Sequence, residues 1–181
     1  MLLSSPKDYH AAARTMREAQ SDGSLTLLFV CTHNSRRSQL AEAWAHLIFG
    51  NEPGIRVASC GTERTQCHPH SAEALEADGW AVRTAGPGSY FIEREGVSTT
   101  LFSKSLDEFA VTPPSIAFMT CAEADEACPA ILGAVARFPW RYEDPKRADE
   151  SPEALATYIE TSRAIRRDLE LLHQHYTALG L

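Results

Sequence analysis

Cys31 closes the apolar run Leu25-Thr26-Leu27-Leu28-Phe29-Val30 and opens Thr32-His33-Asn34-Ser35-Arg36-Arg37-Ser38. A thiol is thus followed, after five residues, by an arginine and then a hydroxyl, the spacing of an oxyanion-binding loop. The apolar run predicts a strand that delivers the thiol to a tight turn, and the residues after Ser38 have helical spacing. Backbone N–H groups at that helix start would face the sulfur and a bound anion, while the planar fork of Arg37 clamps two anion oxygens. Surroundings that favour an anion also favour a thiolate, which is the nucleophile. Thr32, His33, Asn34, Ser35 and Arg36 are the candidate loop residues. A cysteine ending a core strand is often an inert small hydrophobe. Here the strand, the small polar loop, the hydroxyl after Arg37 and the helix 41–48 all agree on chemistry.

Other residues bear on that loop. Asp144 lies in the polar segment Trp140-Arg141-Tyr142-Glu143-Asp144-Pro145-Lys146-Arg147. Asp before Pro starts turns, and an acid there could also hand a proton to an oxygen departing over Cys31. Cys121 directly follows the β-prone run Ser115-Ile116-Ala117-Phe118-Met119-Thr120, and Cys128 stands seven residues on, across an acidic stretch. On a helix these thiols would be about two turns, near 10 Å, apart, too far for a disulfide unless the turn unwinds, so unwinding is expected. A redox pair is expected. Cys60, Cys67, His68 and His70 cluster in sequence without a second ligand set, so a loop with one packed and one exposed thiol is expected, and no metal site. Trp44, Trp80 and Trp140 read as core or rim.

The elements that must position these groups alternate. A helix over 9–20 ends at Ser21-Asp22-Gly23-Ser24. It is followed by a strand over 25–30, a helix over 38–49, a strand over 55–59 and a helix over 71–78 closed by Gly79. Residues 86–104 are hard to place, with 97–102 extended. Strands over 115–120 and 134–138 and a closing helix from about 152 to 178 complete the pattern. This predicts an α/β fold, a doubly wound parallel four-stranded sheet flanked by helices, with the loop at a strand's carboxyl end. Residues 1–24 read as an N-terminal helical extension and 25–181 as the catalytic domain.

The chain has 181 residues and a formal net charge of −7, with its basic residues scattered, which argues against a nucleic-acid partner. Its apolar stretches are too short to span a bilayer and it begins with no signal-peptide core. Five cysteines, an odd set in a chain of ordinary size, do not make a secreted disulfide framework. A cytosolic, membrane-free protein is expected, and no motif implies a cofactor.

With those residues in hand, the chain resembles the low-molecular-weight tyrosine phosphatase superfamily, and within it the thioredoxin-coupled arsenate reductases. The matching pieces span roughly residues 25–172: Phe29-Val30-Cys31 through Gln39, Ser59-Cys60-Gly61-Thr62, Met119-Thr120-Cys121 to Cys128-Pro129, and Glu143-Asp144-Pro145. The Cys121/Cys128 segment discriminates, since the phosphatases lack it, usually place Pro where Gln39 stands, and carry aromatics where Lys146-Arg147 stand. The resemblance implies a triple-thiol relay. Cys31 attacks arsenate held by the loop and Arg37, Asp144 protonates the departing oxygen, and Ser38 steadies the thiolate. Cys121 then releases arsenite by attacking Cys31, and Cys128 resolves the disulfide for reduction by thioredoxin. Phosphate and sulfate would compete.

Departures from the resemblance carry their own expectations. His33 stands where the family usually has Gly, so the loop must tolerate a side chain there. Arg36 puts a second guanidinium beside Arg37, expected in solvent. Some of these reductases hold a potassium ion through positions matching Asn34, Glu42 and Ser59; here the Lys104 ammonium is expected to take that place and to pin Asn34 and Glu42. The rival functions are a phosphatase acting on phosphotyrosine or a small phosphate monoester through Cys31 and Asp144, and a non-catalytic oxyanion-sensing module.

Overall fold

The computed structural model describes residues 7–20, 23–108, 112, 114–127, 131 and 133–180. Its centre is β1 (Leu25–Cys31), buried at every position. Strand β1 pairs in parallel with β2 (Ile55–Gly61) on one side and β6 (Ser115–Met119) on the other, and β7 (Ala134–Pro139) lies beyond β6. The strand order β2-β1-β6-β7 is that of a parallel, doubly wound sheet. A strand apolar along its whole length is what a sheet covered on both faces requires. Period-two alternation divides its side chains: Leu25, Leu27 and Phe29 enter one core cluster, Leu28 and Val30 another.

The larger cluster is built by α1 (Tyr9–Ala19), α2 (Arg37–Phe49), α3 (Pro69–Ala77) and α5 (Ala154–Ala178). Trp44 of α2 is fully buried, meets Trp80 edge to face and donates its indole N–H to Ser162 Oγ of α5 at 2.9 Å. The smaller cluster is closed by Ala124 of α4 (Ala122–Ala127) and by Ile131. Helix α1 is capped by Asp8, which accepts from the Ala11 N–H, and buries Ala12, Ala13 and Met16 in the cluster that holds Leu169, Leu172 and Tyr176 of α5. Lys7 and the Tyr9 hydroxyl both reach Asp168 of α5, at 3.0 and 3.1 Å.

The region that sequence patterning left unplaced is a second sheet. Strands β3 (Ala81–Gly86), β4 (Ser89–Arg94) and β5 (Val97–Leu101) form an antiparallel meander. Glu95 and Gly96 both have positive φ, as a two-residue turn matched to strand twist requires. Only Ile92 and Leu101 of this sheet are fully buried, so its strands lack the apolar signal of the central sheet. Its use is positional: β5 packs beside α2 and feeds residues 102–105 past the Cys31 loop.

Because Met16 lies in the same core as α5, Met16→Ala should lower global stability by about 2–5 kcal/mol in one cooperative urea transition. An unchanged midpoint would show α1 to be an appendage.

Candidate active site

The strand ends at the thiol and the loop turns back over it. The Asn34 N–H donates to Cys31 Sγ at 3.2 Å, and Ser38 Oγ lies 3.0 Å from the same sulfur. Asn34 makes this geometry: it adopts φ 45°, in the left-handed region that asparagine tolerates better than other side-chain-bearing residues. Its amide Nδ2 donates to Ser38 Oγ at 2.8 Å and to Ser59 Oγ at 2.7 Å. With that lone pair engaged by Asn34, the Ser38 hydroxyl proton is free to point at the sulfur. Two donors therefore converge on Cys31, which is 4% exposed.

Behind Asn34 the hydrogen bonds continue into the core. Its Oδ1 accepts from the Lys104 backbone N–H at 2.8 Å and from Gln39 Nε2 at 3.0 Å. Ser59 Oγ donates to Glu42, and Glu42 is paired with Lys104 Nζ at 3.0 Å, both side chains 7% exposed. The Lys104 ammonium thus stands against Glu42, as the resemblance implies, whereas the contact expected from it to Asn34 is made by the Lys104 backbone N–H.

The loop backbone is braced from outside. Thr32 O accepts from the Glu63 N–H at 2.8 Å, Ser35 O from the His68 N–H at 2.9 Å, and His33 O from the hydroxyls of Thr65 and Ser103. A Cβ on Gly61 would fall 2.6 Å from Thr32 O and 2.8 Å from the Asn34 nitrogen, so only glycine permits this approach. The His33 side chain faces Glu63, with 3.4 Å between Nε2 and Oε2. Among side-chain-bearing residues of the loop only Asn34 has positive φ, so a side chain at position 33 costs no left-handed strain.

Arg37 and Asp144 meet over the loop. Arg37 Nη2 lies 2.6 Å from Asp144 Oδ2, and Nη1 donates to the Tyr142 carbonyl at 3.0 Å. Asp144 is at once turn starter and site residue: it caps the 3₁₀ turn Pro145–Ala148 by accepting from the Lys146 N–H, and it reaches the loop. Arg36 corrects the expectation of a solvated guanidinium. Its side chain is 12% exposed and its Nε donates to Asp144 Oδ1 at 3.0 Å. Burial pushes the Asp144 carboxyl up, but Arg37, the Lys146 N–H and Arg36 outweigh it and hold the group below the ordinary carboxylate value. Cys31, His33, Ser35, Arg36 and Arg37 line a small recess that opens beside a groove of about 520 Å³.

Cys121 lies next to this recess. It is fully buried, its Sγ is 3.5 Å from Thr32 Oγ1, and it accepts from the Ala124 N–H at 3.4 Å. Burial raises its thiol pKa, as does the nearby charge of Cys31, while Thr32, the Ala124 N–H and Arg37 pull it down. The segment after Cys121 is helical as far as Ala127, and Cys128 lies outside the described residues. Asp125 of this helix is gripped by Arg137 and Arg141, each at 2.6 Å. Cys60 and Cys67 depart from the expected packed and exposed pair: both are buried, Cys60 because β2 runs on to Gly61 beside β1, and Cys67 within the larger core cluster. Sequence patterning missed three contributors: Gly61, Gln39, which ties Asn34 to the Phe102 carbonyl at 2.7 Å, and Tyr142, which acts through its carbonyl. A lone Gly after a strand and a Gln after the loop serine were the available signals for the first two; a backbone carbonyl leaves none.

The sequence model of the low molecular weight phosphotyrosine protein phosphatases matches residues 26–175. The chain belongs to that family. Arsenate reductase 2 of Staphylococcus saprophyticus is 30% identical over 120 residues, covering 66% of this chain and 78% of that protein. An arsenate reductase of Brevibacillus brevis is 28% identical over 145 residues, 80% of this chain and 94% of that one. Among solved structures, a low molecular weight phosphotyrosine phosphatase of Vibrio cholerae superposes with a TM-score of 0.57 at 18% identity, over 87% of this chain and 99% of its own, a likeness of fold. The described helices include none long and apolar enough to cross a membrane.

Two charge clusters of this phosphatase-family protein can be tested, the buried Lys104–Glu42 pair and Asp125 with its two arginines. With Lys104 seated on Glu42, potassium and sodium should shift the thermal midpoint and activity equally, whereas Lys104→Met, which strands the buried carboxylate, should cost about 3–5 kcal/mol. A potassium-specific gain in the parent protein would contradict the assignment. Asp125, like Asp144, is held below the ordinary 3.8 by its arginines, against the opposing effect of burial. The stability it supplies is therefore full above that value and lost as pH falls through the depressed one. Asp125→Asn should flatten the acid limb of stability measured by urea unfolding; an unaltered limb would show the pairs to be worthless.

Proposed function

We propose that this protein reduces arsenate to arsenite by a thiol relay through Cys31, Cys121 and Cys128, recycled by thioredoxin. The observation that carries this reading is a second buried thiol, Cys121, set against Thr32 of the loop that cradles Cys31. A phosphatase needs one thiol at such a site; a reductase needs a second within reach. The curated relatives named arsenate reductase support it.

The Cys31 thiolate, stabilised by the Asn34 N–H and the Ser38 hydroxyl, attacks arsenic while Arg37 turns from Asp144 to the oxyanion. His33, Ser35 and Arg36 complete the recess around it, with Thr32 between it and Cys121. The S–As bond forms and one oxygen leaves as water, its proton supplied by Asp144 or by the arsenate itself. The Cys121 thiolate then attacks Cys31 Sγ. The electron pair of the S–As bond stays on arsenic, which falls from the pentavalent to the trivalent state and leaves as arsenite, and a Cys31–Cys121 disulfide remains. As α4 unwinds to bring the two within reach, Cys128 attacks Cys121, frees Cys31 as thiolate and leaves a Cys121–Cys128 disulfide for the thioredoxin dithiol. This cycle suits a reducing cytosol, with phosphate and sulfate as competing anions. It needs no bound metal or cofactor.

The groove of about 520 Å³ beside the recess is larger than arsenate needs. It favours, as a second reading, hydrolysis of a phosphate monoester through Cys31 with Asp144 as acid.

Arsenate-dependent NADPH oxidation coupled through thioredoxin and its reductase separates the two. The parent protein should turn over steadily, Cys31→Ser should be inert, and Cys121→Ser and Cys128→Ser should stop after at most one turnover. Absence of arsenate turnover, alongside p-nitrophenyl phosphate hydrolysis indifferent to Cys128, would make the protein a phosphatase.

A further inference from the structure

Arg36 is the unusual group of the site, because one carboxylate here serves two arginines. Asp144 takes Arg37 on Oδ2 and Arg36 on Oδ1. The two cations do not have the same fate. Arg37 is the one whose fork must turn to a bound oxyanion. Arg36, whose side chain is 12% exposed and whose Nε already points at Asp144, is the cation that stays. The Lys146 N–H also stays on Oδ1, Tyr158 of α5 lies beside this carboxylate, and His68, 3.8 Å from Asp149, lies beside Arg36. Tyr158 is itself bound to Asp149 at 2.9 Å and offers no competing charge.

A carboxylate kept ionised is a poor proton donor, and the cost depends on the substrate. A phosphate monoester dianion carries no proton, so as the S–P bond forms and the P–O bond breaks, its leaving oxygen must take a proton from Asp144 or depart as an anion. Arsenate differs, since at neutral pH it still carries hydroxyl protons. When the singly charged arsenate anion, with its two hydroxyls, reacts with the Cys31 thiolate, one hydroxyl can receive the proton of the other and leave as water. The product is an arsenate group bonded through arsenic to Cys31 Sγ and carrying two negative charges, so atoms and charge balance. Resting on the thiol chemistry proposed above, we propose that Arg36 is a specificity-determining residue, which by holding Asp144 as a carboxylate suppresses phosphate-ester cleavage and favours arsenate. The arginine acts through Asp144 and is a positioning residue.

Arg36→Gln, which keeps a hydrogen-bond donor and removes the charge, tests this, with Arg36→Cys as a second variant. The Asp144 carboxyl, followed by carbon-13 NMR, should titrate about one pH unit higher in the variants. At neutral pH, kcat/KM for phenyl phosphate should then rise roughly tenfold relative to arsenate, as the fraction of protonated Asp144 rises. The rise for p-nitrophenyl phosphate, whose leaving group needs little protonation, should be much smaller, and Asp144→Asn should erase the difference. An unmoved titration, or an ester-to-arsenate ratio that stays flat while arsenate is still reduced, would overturn the role of Arg36 and leave the reductase reading standing. Ester hydrolysis that responds as expected in a protein that never reduces arsenate would defeat the reductase reading and the arsenate preference together.

Discussion

The Asn34 amide, held in a left-handed turn, is the fixed point of the site. One face of it makes the sulfur environment, through its own N–H and through Ser38. The other face is bound to the Lys104 N–H, Gln39 and Ser59, which belong to three separate segments of the chain. The orientation of the amide follows from these partners: a backbone donor requires the oxygen on one side, and two hydroxyls take both amide protons on the other. The loop geometry is therefore dictated by the core beneath it, which is the preorganisation that electrostatic catalysis requires.

Beneath Asn34 sits a charge pair that is costly to bury. Lys104 and Glu42 are each 7% exposed, and a pair at that depth offsets its desolvation only when the remaining polar atoms are also satisfied. Ser59 and the Asn34 amide complete that set. Such a pair adds little to stability, but it admits one arrangement of the loop. Over the loop, charge is arranged differently. Arg37 and Arg36 share Asp144 at the rim, where the Arg37 contact can exchange as an anion enters while Arg36 stays. The rigid pair lies below and the exchangeable one above, which is the order in which a binding loop needs its supports.

The local chemistry was legible in the sequence because it is written in consecutive residues. Cys31 through Ser38 carries the nucleophile, the anion-binding backbone and the hydroxyl in one turn, and the continuous apolar run before it implies a strand covered on both faces. Pairings across long separations were not legible. Arg36 and Asp144 stand 108 residues apart, and nothing local distinguishes a guanidinium that reaches solvent from one that meets a carboxylate. Of the antiparallel meander 81–101 only the last strand was legible, as the extended run 97–102; the strands over 81–94 escaped because they are half exposed, so neither period-two nor continuous apolar patterning marks them. Cys60 and Cys67 escaped because their polar neighbours hide where β2 ends and where α3 packs. Residues 9–19 were legible as a helix, but their burial against α5 depends on tertiary packing alone.

The central claim is that Cys31 and Cys121 act in one reaction. It is tested most directly by a single-turnover experiment on reduced Cys128→Ser protein, in which arsenate is mixed with enzyme, quenched under alkylating conditions and the thiols mapped by mass spectrometry. The account predicts one equivalent of arsenite per chain and a Cys31–Cys121 disulfide, with Cys60 and Cys67 alkylated only after unfolding. Free, alkylated Cys121 with no arsenite released would contradict it.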